Sequence, residues 1–220
     1  MVAGAIAKVN MLEECIQPYR DDNYILVYCG ATKVLEADKD FTDVDDEDIR
    51  QIDMVTDLLG NQMHMKVSQF TSREDVEERD TLKKEFSQGE NLQALIAIKC
   101  LDEGVNIPKI KVAFILASTT NPKEYIQRRG RVLRLADGKE FAEIYDFITL
   151  PRPLDEVPML TEGQMKRELS LVKNELCRAE EFARIAMNKV SAVSILDEIK
   201  EAYNIPDYAL DFEEDYSYGE

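Results

Sequence analysis

Strand-length apolar runs recur along this chain with helical stretches between them, and few folds accommodate that rhythm. The runs are YILVY (24–28), MHMKVSQF (63–70), ALIAI (94–98), KVAFILAS (111–118) and FAEIYDFI (141–148), and the apolar residues of 49–59, 75–86 and 122–133 fall at helical spacing. Several runs are apolar on both faces, as strands are when helices cover the sheet above and below. The βαβα order predicts an α/β domain, a doubly wound, mainly parallel sheet with helices on both faces.

Local signals mark the helix ends. In TSRE, Thr71 is expected as N-cap with Glu74 as its partner three residues on, and Gly89 ends the helix that follows. In NPKEY, Asn121 is the expected N-cap and Pro122 the first helical residue. LPRPLDEVP (150–158) holds three prolines in nine residues and reads as a linker. Beyond it Leu169, Val172, Leu176, Ala179, Ala183, Ala186, Val190 and Val193 follow a 3,4 spacing, a narrow helical stripe with small residues at its middle. The expected organisation is a domain over 1–150, then 151–220 as linker, helical extension and acidic tail. The stripe reads as a helix packing within its own chain, with 165–200 also a candidate surface for helix-mediated contact.

The formal net charge is −17, but the acids are not spread evenly. Residues 36–57 hold ten acids against Lys39 and Arg50, and the last ten residues hold five acids and no base. Residues 123–139 reverse this, with six bases against Glu124 and Asp137. Overall charge opposes binding to a polyanion, so any nucleic-acid contact has to be local or shared with another domain. The acidic run at 43–48 reads as a solvated loop leading into a helix; it lacks the glycine and closing glutamate of a calcium loop.

Four dispersed cysteines and a single histidine, His64, which reads as a strand residue, offer no zinc-ligand spacing, so no metal site is expected. The thiols read as small buried groups of a reducing compartment, and the cytoplasm is the expected location. No apolar run is long enough to span a bilayer, and no membrane association is expected.

Three segments fall at the C-terminal ends of successive strands: VYCGAT (27–32), AIKCLDEGVNIP (97–108) and QRRGRVLR (127–134), with the TSRE turn between the first two. In this order they resemble motifs IV, V and VI of the second RecA-like domain of superfamily 2 helicases, over roughly the first 150 residues. The opening Gln127 and the DEGVNIP stretch look closest to DNA translocases of the restriction-enzyme helicase subunit and excision-repair kind. Arginine suits such a site, because its planar fork grips phosphate oxygens and stays charged at neutral pH. The resemblance implies that Arg131 and Arg134 face the γ-phosphate of ATP, that Gln127 helps order the attacking water, and that Arg128 is a supporting contact. It likewise implies nucleotide contacts at Glu103, Gly104 and Asn106, the last standing where the family usually has aspartate. Gly30, Thr32, Thr71 and Ser72 match positions that meet the nucleic-acid backbone. Ile98 stands where many helicases carry a threonine on that backbone.

The 220 residues contain no G-x-x-x-x-G-K-[ST] and no Walker B acidic box, the parts that cradle phosphates and hold Mg²⁺. The expectation is therefore the C-terminal half of an ATP-dependent DNA helicase or translocase, inactive alone. An N-terminal RecA-like ATPase domain, in cis or in trans, would hold Mg²⁺ and the rest of ATP. DNA is the expected track, with RNA left open. The alternative is a non-catalytic interaction module built on a degenerate RecA-like domain.

Overall fold

The computed structural model describes residues 2–30, 46–71, 73–98, 109–116 and 121–206. The chain divides into two compact units, Met1–Phe147 and Ile148–Glu220. The first carries α1 (Val2–Ile16), β1 (Ile25–Cys29), α2 (Asp46–Thr56), β2 (Val67–Phe70), α3 (Val76–Gln88), β3 (Ala94–Ile98), β4 (Val112–Ile115), α4 (Pro122–Val132) and β5 (Glu143–Asp146). Its sheet runs β2-β3-β1-β4-β5 with every neighbouring pair parallel. Every strand therefore ends at the same edge, as the alternation of runs predicts.

Register explains why the central runs are apolar throughout. Cys29 pairs with Ile98 on one side of the sheet, and that face packs with Leu12 and Ile16 of α1 and Ile52 and Val55 of α2 in a single core. Tyr28, Ala97, Phe70 and Ile115 align across the opposite face, where Arg128 of α4 lies over the Tyr28 ring and Arg79 of α3 over the Phe70 ring. Helices thus cover both faces. Ile98 belongs to the α1 and α2 core, so its hydrocarbon side chain is a packing residue.

Several local expectations need correction. The cap of α3 is Asp75, not Thr71: Asp75 accepts from Glu78 N at 2.8 Å, and Glu78 returns a bond to Asp75 N at 3.1 Å. TSREDVEE contains two consecutive box patterns, 71–74 and 75–78, and the helix uses the second. Gly89 ends α3 at φ 72° as expected; a Cβ there would stand 2.8 Å from the Tyr24 hydroxyl. His64 is not in a strand but turns the chain at φ 59° ahead of β2. The acidic loop is shorter at its end than expected, since α2 already begins at Asp46. Helix α1 has no counterpart among the predicted elements.

In the second unit the proline-rich segment is not a free linker. Leu154–Met159 forms a 3₁₀ turn whose Val157 is fully buried in the unit's own core with Val172, Leu176, Ala179 and Ala183. Arg152 grips Glu168 of α5 (Glu162–Ile185) through two nitrogens, Nε at 3.0 Å and Nη2 at 2.5 Å, and the Tyr203 hydroxyl donates to the same carboxylate at 3.2 Å. The Arg152 bond holds Glu168 below the usual carboxylate range. Burial and the Glu168 bond push the Tyr203 phenol up to about 12.

The stripe does not run through one helix. The chain turns extended at Ala186 and restarts as α6 (Lys189–Ala202), which packs against α5 through Leu196 and Ile199. Small Ala179 and Ala183 lie in the core where the helices meet, while Val190 is left 85% exposed. Among the described residues no helix is long and apolar enough to cross a membrane.

Candidate functional site

The common edge at the strand C-termini carries Gly30 and Thr71 among the described candidate residues. Gly30 follows β1, Thr71 follows β2, and α4 begins at Pro122 downstream of β4. Two bonds fix the rim from beneath. The Gly30 N–H donates to Gln51 Oε1 of α2 at 2.8 Å, and Lys8 of α1 sends its ammonium to Leu116 O at 2.8 Å, just beyond β4. The Gly30 amide is thus already engaged within the domain.

Helix α4 is sorted by its 3.6-residue period. The Asn121 carbonyl accepts from Glu124 N and Tyr125 N, which starts the helix where the Asn-Pro signal puts it. Tyr125, Arg128 and Val132 form the buried face. Gln127 and Arg131 are one turn apart on the side of α4 away from that face, and Arg134 follows two residues past the helix end. Gln127 is exposed, and Arg131 and Arg134 are half-buried.

Arg128 separates from the other arginines. It is 4% exposed, pairs with Glu124 at 3.2 Å and lies 5.7 Å from the Tyr28 ring centroid. Its charge is met from within the domain, by a carboxylate one turn back and by the electron-rich ring face. Arg131 is half-buried with its Nε shielded from solvent, and Arg134 is half-buried beyond the helix end.

The end of α4 is held by a residue that sequence reasoning passed over. Lys139 donates from Nζ to Val132 O at 2.5 Å and to Arg134 O at 2.9 Å, and burial lowers its pKa. Its only sequence signal is DGK (137–139), a turn followed by a base five residues after Arg134.

Thr71 is 5% exposed and works inside its own turn. Its hydroxyl accepts from Arg73 N at 3.1 Å and donates to Glu74 Oε1 at 3.1 Å, its amide reaches Glu74 Oε2 at 2.5 Å, and Arg79 Nη2 holds its carbonyl at 2.9 Å. An open groove of about 720 Å³ nearby is lined by Glu74, Glu77 and Glu78 with Arg73, which sets carboxylates beside that candidate backbone contact. Thr32, Ser72, Glu103, Gly104 and Asn106 lie outside the described residues. No group of three or more His, Cys, Asp or Glu side chains able to hold a metal occurs among the described residues.

The sheet is all-parallel and RecA-like, and the arginine-bearing helix begins downstream of β4. The chain belongs to the helicase conserved C-terminal domain family, whose model matches residues 7–136. The DNA 3'-5' translocase XPB2 of Sulfurisphaera tokodaii is 31% identical over 67 residues, which is 30% of this chain and 15% of that protein. The C-terminal domain of the DEAD-box protein Dbp5 superposes with a TM-score of 0.51 at 16% identity, covering 87% of this chain and 90% of that one. The C-terminal part of the Fun30 ATPase domain gives 0.50 at 15% identity, covering 79% and 54%. These two likenesses are of fold.

Proposed function

We propose that this chain is the second lobe of an ATP-driven DNA helicase or translocase, supplying arginine fingers to ATP held chiefly by an N-terminal P-loop lobe. The observation that carries the reading is the division of α4. Arg128 is buried against Glu124 and the Tyr28 ring, while Gln127 is exposed one turn before a half-buried Arg131, and Arg134 is half-buried just past the end of the helix. That donor set, two guanidiniums and an amide, suits a triphosphate.

ATP supplies the transferable γ-phosphoryl group, and Mg²⁺ belongs to the partner lobe. On this chain Arg131 and Arg134 stabilise the charge that gathers on the phosphoryl oxygens, and Gln127 orients water toward it. Arg128 keeps a supporting role by fixing the helix to β1. Because the fingers approach only when the two lobes close, nucleotide state is coupled to lobe geometry, and repeated closure advances the pair along a strand. DNA is favoured as the track by the likeness to a named DNA translocase.

The test is made in the natural polypeptide or complex that joins this chain to a P-loop lobe. Arg134→Ala is expected to lower DNA-stimulated kcat by about 10³-fold, with ATP binding little changed, and this chain alone is expected to turn over no ATP. Undiminished kcat in both Arg131→Ala and Arg134→Ala would refute the finger assignment and favour a non-catalytic interaction module.

A further inference from the structure

We propose that Lys139 is a positioning residue that clamps the end of the arginine helix and so aims Arg134 and, behind it, Arg131. The inference rests on the finger reading above.

Three observations support it. Val132 is the last residue of α4, so its carbonyl is among those a helix leaves without a backbone partner, and the Lys139 ammonium takes it at 2.5 Å. The same ammonium holds the carbonyl of Arg134 itself at 2.9 Å, two residues beyond the helix, where the helical ladder no longer fixes the backbone. The intervening segment is built to return the lysine to that point. Lys139 N donates to Ala136 O at 3.1 Å, the two residues form a bridge, and Gly138 takes φ 72° to close the turn.

A cation at this end also opposes the negative pole of the helix. The half-buried setting strengthens both bonds relative to water, while the same burial opposes the charged ammonium and lowers its pKa. Arg134 therefore leaves a backbone pinned on both sides: Val132 is buried before it and Lys139 is bound after it. A finger works only when its guanidinium is already in place as charge develops, and a misplacement of about 1 Å can cost on the order of 10²-fold in rate.

The experiment compares Lys139→Met, Lys139→Arg and Arg134→Ala, with the Lys139→Met/Arg134→Ala double variant, in the enzyme that joins this chain to its P-loop lobe. Lys139→Met is expected to lower kcat by about 10- to 100-fold while KM for ATP stays within about 3-fold. Lys139→Arg is expected to restore most of the loss, and the double variant to be no slower than Arg134→Ala alone. Hydrogen exchange on the 220-residue chain gives a readout independent of turnover: the amides of Leu133 to Leu135 should exchange faster in Lys139→Met, with those of β1 and β4 unchanged.

Normal kcat in Lys139→Met beside a crippled Arg134→Ala overturns the clamp and leaves the finger standing. Full turnover in Arg134→Ala overturns the finger reading and the clamp's catalytic purpose together. Unchanged exchange at Leu133 to Leu135 overturns the clamp on structural grounds. Should Lys139→Met not fold, Lys139→Gln, which keeps one donor without charge, is read against the same outcomes.

Discussion

Arg128→Met separates the buried, anchoring arginine from Arg131 and Arg134. The substitution keeps an unbranched apolar stem against Tyr28 and removes the guanidinium, leaving the Glu124 carboxylate without this partner. Breaking a buried pair from one side costs about 3–5 kcal/mol. Glu124 keeps 24% of its side chain accessible, so water relieves part of that cost and about 2–3 kcal/mol remains. Losing the cation over the Tyr28 ring adds about 0.5–1 kcal/mol, for a total near 3 kcal/mol.

With a urea slope of about 2 kcal/mol/M, the midpoint should fall by about 1.5 M. Since the chain holds two units, amide exchange in β1 and β4 should accompany the denaturation curve to assign the loss to Met1–Phe147. Adding Glu124→Gln removes the stranded charge and should recover about half of the loss. Arg131→Ala and Arg134→Ala, at half-buried positions, should each shift stability by less than Arg128→Met does. A change below about 0.5 kcal/mol in Arg128→Met, with no recovery in the double variant, would refute the anchoring role.

The other perturbations address the turns and the second unit. Gly89→Ala meets both a left-handed backbone and the Tyr24 ring, whereas Gly138→Ala meets the same φ with nothing within 4 Å of its Cβ. Backbone strain costs about 1–2 kcal/mol at either site, so Gly89→Ala should lower the thermal midpoint further; equal midpoints would remove the Tyr24 contribution. The Glu168 and Tyr203 pair predicts loss of stability at both pH extremes. Glu168 lies below its ordinary 4.5 when folded, so its contribution is present above that pH and lost as pH falls through the folded value. Tyr203 rises from 10.0 to about 12, so its contribution is present below pH 10 and lost on the way to pH 12. Tyr203→Phe should flatten the alkaline limb of second-unit stability followed by amide exchange, and an unaltered limb would assign it to other groups.

What could be read in the residues was what depended on near neighbours. ALIAI becomes β3 at the expected boundaries because both of its faces are interior, and Asn121-Pro122 starts α4 because capping is decided within one turn. Alternatives of equal local merit could not be ranked. Thr71 with Glu74 and Asp75 with Glu78 offer the same pattern in sequence, but only Asp75 and Glu78 close the reciprocal box, while the Thr71 hydroxyl accepts from Arg73 N instead.

Contacts between distant residues were beyond reach. Arg152 seats the proline-rich segment on a glutamate 16 positions away. The bend at Ala186 has no glycine or proline to announce it and follows from the close approach of α5 and α6. At the candidate site the helical period already separates Arg128 from Gln127 and Arg131. The role of Lys139 depends on a turn bringing it back to carbonyls it does not adjoin in sequence.

The interleaving of inward and outward residues along α4 restricts how this segment can change length. Each residue advances the helix by about 100°, so one residue inserted or deleted between Tyr125 and Val132 would turn every later side chain by that angle. Arg131 would leave the side it shares with Gln127, and the apolar contact made by Val132 would be lost to solvent. A substitution at exposed Gln127 leaves packing alone, whereas a single-codon insertion or deletion disturbs both sides of the helix. Variation in chain length is therefore expected beyond the turn closed by Lys139, where no second face depends on the count.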